Sequence, residues 1–170
     1  MLYLIDASVL ITAHNLYYPI DRVPEFWSWL LHVAAQGIAK IPLELYDEIK
    51  EGRKDSEKDL LYAWIIDPKS KEALVHDEEP DVALLRRVIE VGYANNLKDD
   101  EVEQLGRDPF LIAYALAAPN DRCVVTTEVS KPKKIRQNRH MPDVCNSIGM
   151  QCCDPFTFSR TLGFRTSWKP

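Results

Sequence analysis

The feature that most constrains the fold is the alternation of short, mainly apolar segments with longer amphipathic segments. Residues 2–5 form an apolar run at the start of the chain, and further strand candidates follow at 38–41 and 122–126. A short apolar run bounded by polar residues is typical of a parallel strand that is buried on both faces. Longer helical segments between such strands supply the crossovers of an α/β fold. The sequence therefore predicts a mainly parallel central sheet flanked by helices.

Apolar residues at helical spacing, often with proline in the first turn, mark the segments between these strands. Residues 8–14 can begin a first helix, and residues 144–150 form a short helix or turn. The other predicted helices cover residues 22–37, 42–52, 55–66, 81–95, 99–105, 109–118 and 155–162. We expect residues 67–80 to be an exposed connection and 151–153 to be an edge strand. Because no long linker interrupts the apolar segments, we predict a single domain over residues 1–170.

The net charge of −5 gives the chain no general attraction to nucleic acid, so any binding would depend on a local basic segment or on bound cations. No apolar stretch reaches the roughly 18 residues of a membrane span, and the first residues lack the basic region of a signal peptide. The four cysteines form no CxxC pair, which disfavours a zinc site. We therefore expect a cytoplasmic protein with no membrane partner.

Three acidic residues fall where the predicted strands and helices bring them to one edge of the sheet. Asp6 follows the first strand, Glu128 follows the third, and Asp108 is the expected N-cap of the helix that leads into the third. The carboxyl ends of parallel strands are where α/β proteins bind their ligands. Taken singly, Asp6 and Asp108 also fit helix caps and Glu128 fits a solvated loop, but their shared edge favours a joint role.

The helix after the second strand adds Glu44 and Glu48, one turn apart on one face. Glu48 alone also fits a solvated helix position. Several carboxylates at one edge repel one another and raise each other's pKa values unless a cation lies between them. Mg²⁺ prefers oxygen ligands, and it can activate water for phosphodiester hydrolysis. We therefore predict a Mg²⁺ or Mn²⁺ site.

Four segments, in order along the chain, resemble the motifs of PIN-domain ribonucleases. Residues 4–10 (Leu-Ile-Asp-Ala-Ser-Val-Leu) resemble the opening strand and its Asp-x-Ser motif, and residues 41–49 the helix with the second acidic residue. Residues 107–115 resemble the Asp that opens an Ala-rich helix, and residues 124–128 the strand followed by Thr-x-Glu. Because all four occur in order, the likeness spans nearly the whole chain.

The resemblance implies a three-layer α/β/α fold and endonucleolytic cleavage of single-stranded RNA with Mg²⁺ or Mn²⁺. Many small proteins of this family are VapC-like toxins of type II toxin–antitoxin pairs, so it also implies a homodimer neutralised by an antitoxin protein. A housekeeping ribonuclease is compatible with the same motifs. The metal-binding and catalytic carboxylates implied by the resemblance are Asp6, Glu48, Asp108 and Glu128, supported by the hydroxyls of Ser8 and Thr126.

Two of these positions have alternatives. Glu44 and Asp47 share the second motif with Glu48, and Asp143 is a reserve for Glu128 because Asp is commoner at the fourth motif.

A basic segment follows the fourth motif directly. Five of the ten residues 131–140 are Lys or Arg and none is acidic. Such side chains could hold RNA phosphates without selecting a sequence, although a solvated loop or a docking surface for an acidic partner is an alternative. The substrate-binding candidates are Lys131, Lys133, Lys134, Arg136 and Arg139.

Two other functions fit part of the pattern. A haloacid-dehalogenase-type phosphatase also has an Asp after its first strand, but it needs a second Asp where this chain has Ser8. A non-catalytic PIN-like interaction module would keep the fold and not need the carboxylates. Their presence at all four positions favours the ribonuclease.

Overall fold

The computed structural model describes residues 1–52 and 59–169. Within these residues the strands are β1 (Leu2–Ile5), β2 (Ala39–Pro42), β3 (Val75–His76), β4 (Arg122–Val125) and β5 (Gln151–Cys153). They form one sheet in the order β3-β2-β1-β4-β5, and every neighbouring pair is parallel. The predicted parallel sheet and the edge strand at residues 151–153 are therefore confirmed.

The helices follow the predicted pattern with local differences. They are α1 (Ala7–Thr12), α2 (Pro24–Ala35), α3 (Leu43–Gly52), α4 (Leu60–Ile66), α5 (Pro68–Leu74), α6 (Val82–Arg87), α7 (Asp99–Gln104), α8 (Asp108–Leu116), α9 (Met141–Ser147) and α10 (Pro155–Thr161). α1 and α6 continue as π-helical turns over Ala13–Tyr17 and Val88–Tyr93, and a 3₁₀ turn covers Arg136–Asn138. The helix predicted over 55–66 is confirmed from Leu60 onward, and residues 55–58 lie outside the described part of the chain.

The prediction of an exposed connection over residues 67–80 holds for residues 77–80 but was wrong for residues 68–76, which form α5 and β3. Asp67 caps α5 by accepting hydrogen bonds from the backbone amides of Lys69 (2.9 Å) and Ser70 (3.3 Å). The two-residue strand β3 then pairs with β2, with Val75 opposite Ile41. A strand this short has no detectable alternation of its own, so its pairing depends on β2 being available beside it.

Helices cover both faces of the sheet, which gives the predicted three-layer α/β/α fold. On one face α2 and α5 pack against β2, and α10 joins them through Phe158, whose ring lies 5.1 Å from that of Tyr3 and 5.6 Å from that of Trp29. On the other face α8 packs across β1, β2 and β4 and contacts α6 and the π-helical turn that follows it. α9 packs against β5 and the same turn.

The strand order reverses beside β1. The chain moves from β1 to β2 and β3 on one side, and then returns to β4 and β5 on the other. The carboxyl ends of β1 and β4 therefore meet at a topological switch point, where open α/β sheets form their binding crevices. Asp6 and Thr126 are the first residues after these two strands.

Candidate active site

Asp6 is a buried carboxylate held by hydroxyl groups. It is the N-cap of α1 and accepts a hydrogen bond from the backbone amide of Ser8 (3.4 Å). Its Oδ2 atom also accepts hydrogen bonds from the hydroxyls of Ser8 and of Thr126, the latter at 2.9 Å. Thr127 donates to the Ser8 hydroxyl at 2.8 Å, so the loops after β1 and β4 are joined at this point. Such donors fix the orientation of a carboxylate.

Asp108 is a half-buried carboxylate in a different situation. It is the first residue of α8, but no capping hydrogen bond to its side chain forms, so the expected N-cap role was wrong. Among the described residues, no donor is hydrogen-bonded to this carboxyl group. Desolvation and then the negative charges of Asp6, Glu128 and Glu48 raise its pKa to about 7. Carboxylates from four separate segments therefore act on one another here.

Glu48, rather than Glu44, faces this cluster from α3. Partial desolvation raises the pKa of Glu48, followed by the charge of Asp6, while the nearby Arg107 opposes the shift. Glu44 instead accepts a hydrogen bond from the Tyr114 hydroxyl at 3.2 Å. Asp47 forms an ion pair with Lys50 at 3.3 Å. Glu44, Asp47 and Glu48 thus lie in three different surroundings.

Glu128 and Asp143 have separate local roles. Glu128 accepts a hydrogen bond from the backbone amide of Met141 (2.6 Å), which fixes the start of α9, and its charge also reaches Asp108. Asp143 accepts hydrogen bonds from the Ser130 hydroxyl (2.5 Å) and the Lys131 amide (2.7 Å), and the Ser130 contact holds its pKa below the usual range. Glu128 therefore belongs to the cluster, whereas Asp143 organises the following loop.

The five basic side chains proposed to bind substrate divide into two groups. Arg136 donates to Glu101 at 2.6 and 2.9 Å, which lowers the pKa of Glu101 to about 2, and it also bonds Asn96. Arg139 bonds the backbone oxygens of Gly92 and Asp143. These two guanidinium groups are occupied by structural contacts, so we remove them from the substrate-binding candidates.

The remaining candidates, Lys131, Lys133 and Lys134, are exposed and surround an open depression with Pro132. They follow Glu128 by only a few residues.

Two residues near the cluster were missed by the sequence analysis. The guanidinium of Arg107 bonds the backbone oxygen of Glu44 (2.5 Å) and the carboxylate of Glu51 (2.6 Å), which ties the start of α8 to α3. Tyr93 lies at the end of the π-helical turn, and burial, followed by the charges of Asp108 and Glu128, raises the pKa of its hydroxyl. The position of Arg107 directly before Asp108 was visible in the sequence, whereas nothing local pointed to Tyr93.

The side chains of the cluster carry carboxylate oxygens, which are the ligands that a hard divalent cation prefers. Mg²⁺ is commonly held by one or two carboxylates together with several waters, and an unpartnered carboxyl group with a raised pKa gains most from a nearby cation. In the part of the chain that the structure describes, no three His, Cys, Asp or Glu side chains stand close enough to enclose one ion. The carboxylates that could take part in holding a hydrated cation are Asp108 and the three whose charges act on it, Asp6, Glu48 and Glu128.

The fold and this site define the chain as an α/β protein with an acidic cluster at the switch point of a parallel sheet. Residues 3–166 match the family described as "Domain of unknown function (DUF4411)", and the chain belongs to that family. No curated protein matches the chain. Among the described residues, no helix is long and apolar enough to cross a membrane.

Proposed function

We propose that this protein is a Mg²⁺- or Mn²⁺-dependent endoribonuclease of the PIN type that cleaves single-stranded RNA. The observation that carries the proposal is the Asp108 carboxyl group. It has no hydrogen-bond donor among the described residues, and it lies in the combined field of Asp6, Glu48 and Glu128 at the switch point of the sheet. A site with this much unbalanced negative charge is typical of a binding place for a divalent cation.

The four carboxylates of the cluster would have different roles in phosphodiester hydrolysis. A bound divalent cation supplies Lewis acidity and an activated water for phosphodiester hydrolysis. Asp6, fixed by Ser8 and Thr126, and Asp108 would hold it. Glu48, exposed on α3, and Glu128, bonded to the first amide of α9, would accept protons or orient water.

The substrate side of the proposal depends on the basic segment. Because the chain carries a net charge of −5, RNA would be drawn to a local patch rather than to the whole surface. Lys131, Lys133 and Lys134 supply exposed cations without competing intramolecular ion pairs among the described residues. Contacts of this kind bind phosphates and do not select a particular RNA sequence.

The resemblance to VapC-like toxins extends the proposal to partners. We propose a homodimer that arrests growth in the cytoplasm and is neutralised by an antitoxin protein. Induced expression of the wild type and of Asp6→Asn tests this part: growth arrest that requires Asp6 supports a toxin, and unaffected growth contradicts it.

Cleavage of an RNA pool by the purified chain tests the activity itself. With Mn²⁺ or Mg²⁺, we expect cleavage that EDTA abolishes and that Asp6→Asn and Asp108→Asn each reduce by at least about a hundredfold, because loss of a residue that only supports a metal ligand already costs about 10- to 100-fold. Glu44→Gln is the matched control, because it removes an acidic group of α3 but keeps an acceptor for Tyr114. Equal activity in Glu48→Gln and Glu44→Gln would contradict the assignment of Glu48.

Calorimetric titration with Mn²⁺ separates the ribonuclease from a non-catalytic module of the same fold. Binding that is lost in Asp108→Asn supports the nuclease. A chain that neither binds Mn²⁺ nor cleaves RNA would contradict it and favour the interaction module.

A further inference from the structure

Tyr17 and Phe156 form an exposed pair of aromatic rings. Tyr17 is 49% exposed and Phe156 is 42% exposed, whereas every other Phe, Tyr or Trp side chain that the structure describes is buried or half-buried. The two ring centroids lie 4.9 Å apart, and the ring planes meet edge to face at 77°. The fold therefore brings two exposed aromatic rings from opposite ends of the chain to one place on the surface.

Both rings belong to elements that start at the carboxyl edge of the sheet. Tyr17 ends the π-helical turn that continues α1, and α1 begins directly after Asp6. Phe156 lies in the first turn of α10, where its backbone amide donates a hydrogen bond to Asp154 (2.8 Å), the residue that follows β5. The edge at which these elements start is the one where open α/β sheets bind their ligands.

A narrow, mainly apolar depression joins the ring pair to the acidic site. Its lining includes both rings, Val9 of α1 and Thr127. The Thr127 hydroxyl donates a hydrogen bond to the Ser8 hydroxyl at 2.8 Å, and the Ser8 hydroxyl donates to the Asp6 carboxylate. One short chain of hydroxyl groups thus leads from the depression to Asp6.

The size of the depression decides how a ligand would contact it. The space inside measures about 20 Å³, which holds about one water molecule. A larger ligand therefore has to lie on the outer surfaces of the Tyr17 and Phe156 rings. A flat aromatic group suits such a surface, because aromatic rings prefer offset-stacked or edge-to-face contacts.

The charges on the neighbouring loop indicate which flat group this is. Thr127 and the exposed Lys131, Lys133 and Lys134 belong to the same loop after β4, so cations that can bind phosphates follow the depression within a few residues. Proteins that bind single-stranded nucleic acid combine basic side chains along the phosphates with aromatic rings on which the bases stack. The combination favours a nucleobase over an uncharged aromatic ligand.

We propose that Tyr17 and Phe156 form a platform on which a base of the single-stranded RNA substrate stacks beside the acidic site. This inference rests on the proposed function and adds a base-contacting subsite to it. Stacking tolerates any base, so the platform would hold the strand without selecting a sequence. Loss of one stacked base typically lowers affinity about five- to a hundredfold.

Two oligomers and two pairs of variants test the platform. The Asp6→Asn chain, in which the proposed function expects no cleavage, is titrated in Mg²⁺ with a short single-stranded RNA and with an abasic oligomer of the same length, which keeps the phosphates but has no bases. In this background, Tyr17→Leu and Phe156→Leu remove one ring and keep an apolar side chain. Tyr17→Phe and Phe156→Tyr are the matched controls because they keep the ring.

Fluorescence anisotropy of the labelled oligomers gives the ratio of the two Kd values for each protein. We expect the Asp6→Asn chain to bind the RNA about fivefold or more tightly than the abasic oligomer. Each leucine variant should lose most of this preference, and each variant that keeps the ring should retain it. Because the ratio is taken within one protein, a partly unfolded variant does not change it.

A preference that persists in both leucine variants, or that is absent from the Asp6→Asn chain, would overturn the platform while the proposed function stands. A chain that binds neither oligomer would overturn both. Sedimentation velocity of the same proteins tests whether a second copy of the chain covers the rings instead. We expect one oligomeric state throughout, and a dimer that dissociates in the leucine variants would overturn the platform.

Discussion

Asp6 and Asp108 carry the same carboxyl group in opposite surroundings. Asp6 receives donors from Ser8 and Thr126, which compensate its burial. Asp108 receives none from the described residues, and its burial, followed by the charges of three other acidic side chains, raises its pKa to about 7. Ionising Asp108 in the folded, metal-free protein therefore costs free energy. Because a high pH imposes this cost and a bound cation offsets it, both the pH and the cation should change the stability of the fold.

Asp108→Asn should stabilise the metal-free protein at high pH. Because the folded-state pKa of Asp108 lies above that of the unfolded chain, its favourable contribution is present below about pH 4 and is lost as the pH rises towards 7. We expect the variant to raise the free energy of unfolding by about 1–2 kcal/mol at pH 8. Urea denaturation in EDTA measures this.

At pH 4 the two proteins should differ much less, because Asp108 is protonated in the fold. Adding Mn²⁺ at pH 8 should reverse the order, stabilising the wild type but not the variant. A variant that is less stable than the wild type at pH 8 without metal would contradict the proposed repulsion.

At the scale of elements, the position of α8 is what brings Asp108 to the site. The helix packs across β1, β2 and β4, and it runs from the carboxyl edge of the sheet back towards the start of β4. Arg107 then fastens its first turn to α3, which carries Glu48. Arg107, together with the hydrogen bond from Tyr114 to Glu44, thus joins two helices that are distant in sequence.

Arg107→Gln should lower the free energy of unfolding by about 1–2 kcal/mol, since a charged hydrogen bond to the partly buried backbone oxygen of Glu44 is lost. We also expect weaker Mn²⁺ binding because the first turn of α8, which carries Asp108, is no longer bonded to α3. Chemical denaturation and calorimetry measure the two effects.

Glu51→Gln is the control for Arg107. It removes the exposed half of the same interaction, in which the Glu51 side chain is 69% exposed. Exposed ion pairs contribute about 0–1 kcal/mol, so its effect should be small. Equal losses in the two variants would show that the exposed pair, not the contact with the α3 backbone, holds the helices.

At the scale of the whole molecule, an acidic chain presents a compact group of exposed lysines. The net charge is −5, yet Lys131, Lys133 and Lys134 stand together a few residues after Glu128. Arg136 and Arg139, which the sequence grouped with them, instead fasten this segment to α7 and to the π-helical turn before it. The segment is therefore held by its arginines and presents its lysines.

Replacing Lys131, Lys133 and Lys134 together by Ala should weaken RNA binding and reduce the slope of log affinity against log salt by about 2, as expected for three lost phosphate contacts on a single strand. Filter binding with Asp6→Asn protein measures this without cleavage. The Tm should be unchanged because all three side chains are exposed.

A triple replacement of the exposed Lys69, Lys71 and Lys98 is the control of equal charge. An equal loss of affinity in both triple variants would contradict a localised RNA surface.

The sequence by itself determined the features that depend on neighbouring residues. The apolar runs of β1, β2 and β4, the prolines in first turns and the Asp6 cap are short-range signals, because strand burial and capping involve residues only a few positions apart. Together with the order of strands and helices, they were enough to predict the parallel sheet and the edge at which the four carboxylates lie.

Only the tertiary structure decided which side chains meet. The two-residue strand β3 exists because β2 lies beside it. Glu48 rather than Glu44 faces Asp6 because α3 packs in one orientation. Arg136 bonds Glu101 of α7 instead of facing solvent with the lysines. Tyr93 reaches the cluster because its turn packs against α8 and α9. These contacts join segments far apart in the chain, and their energies arise only when the whole core is packed.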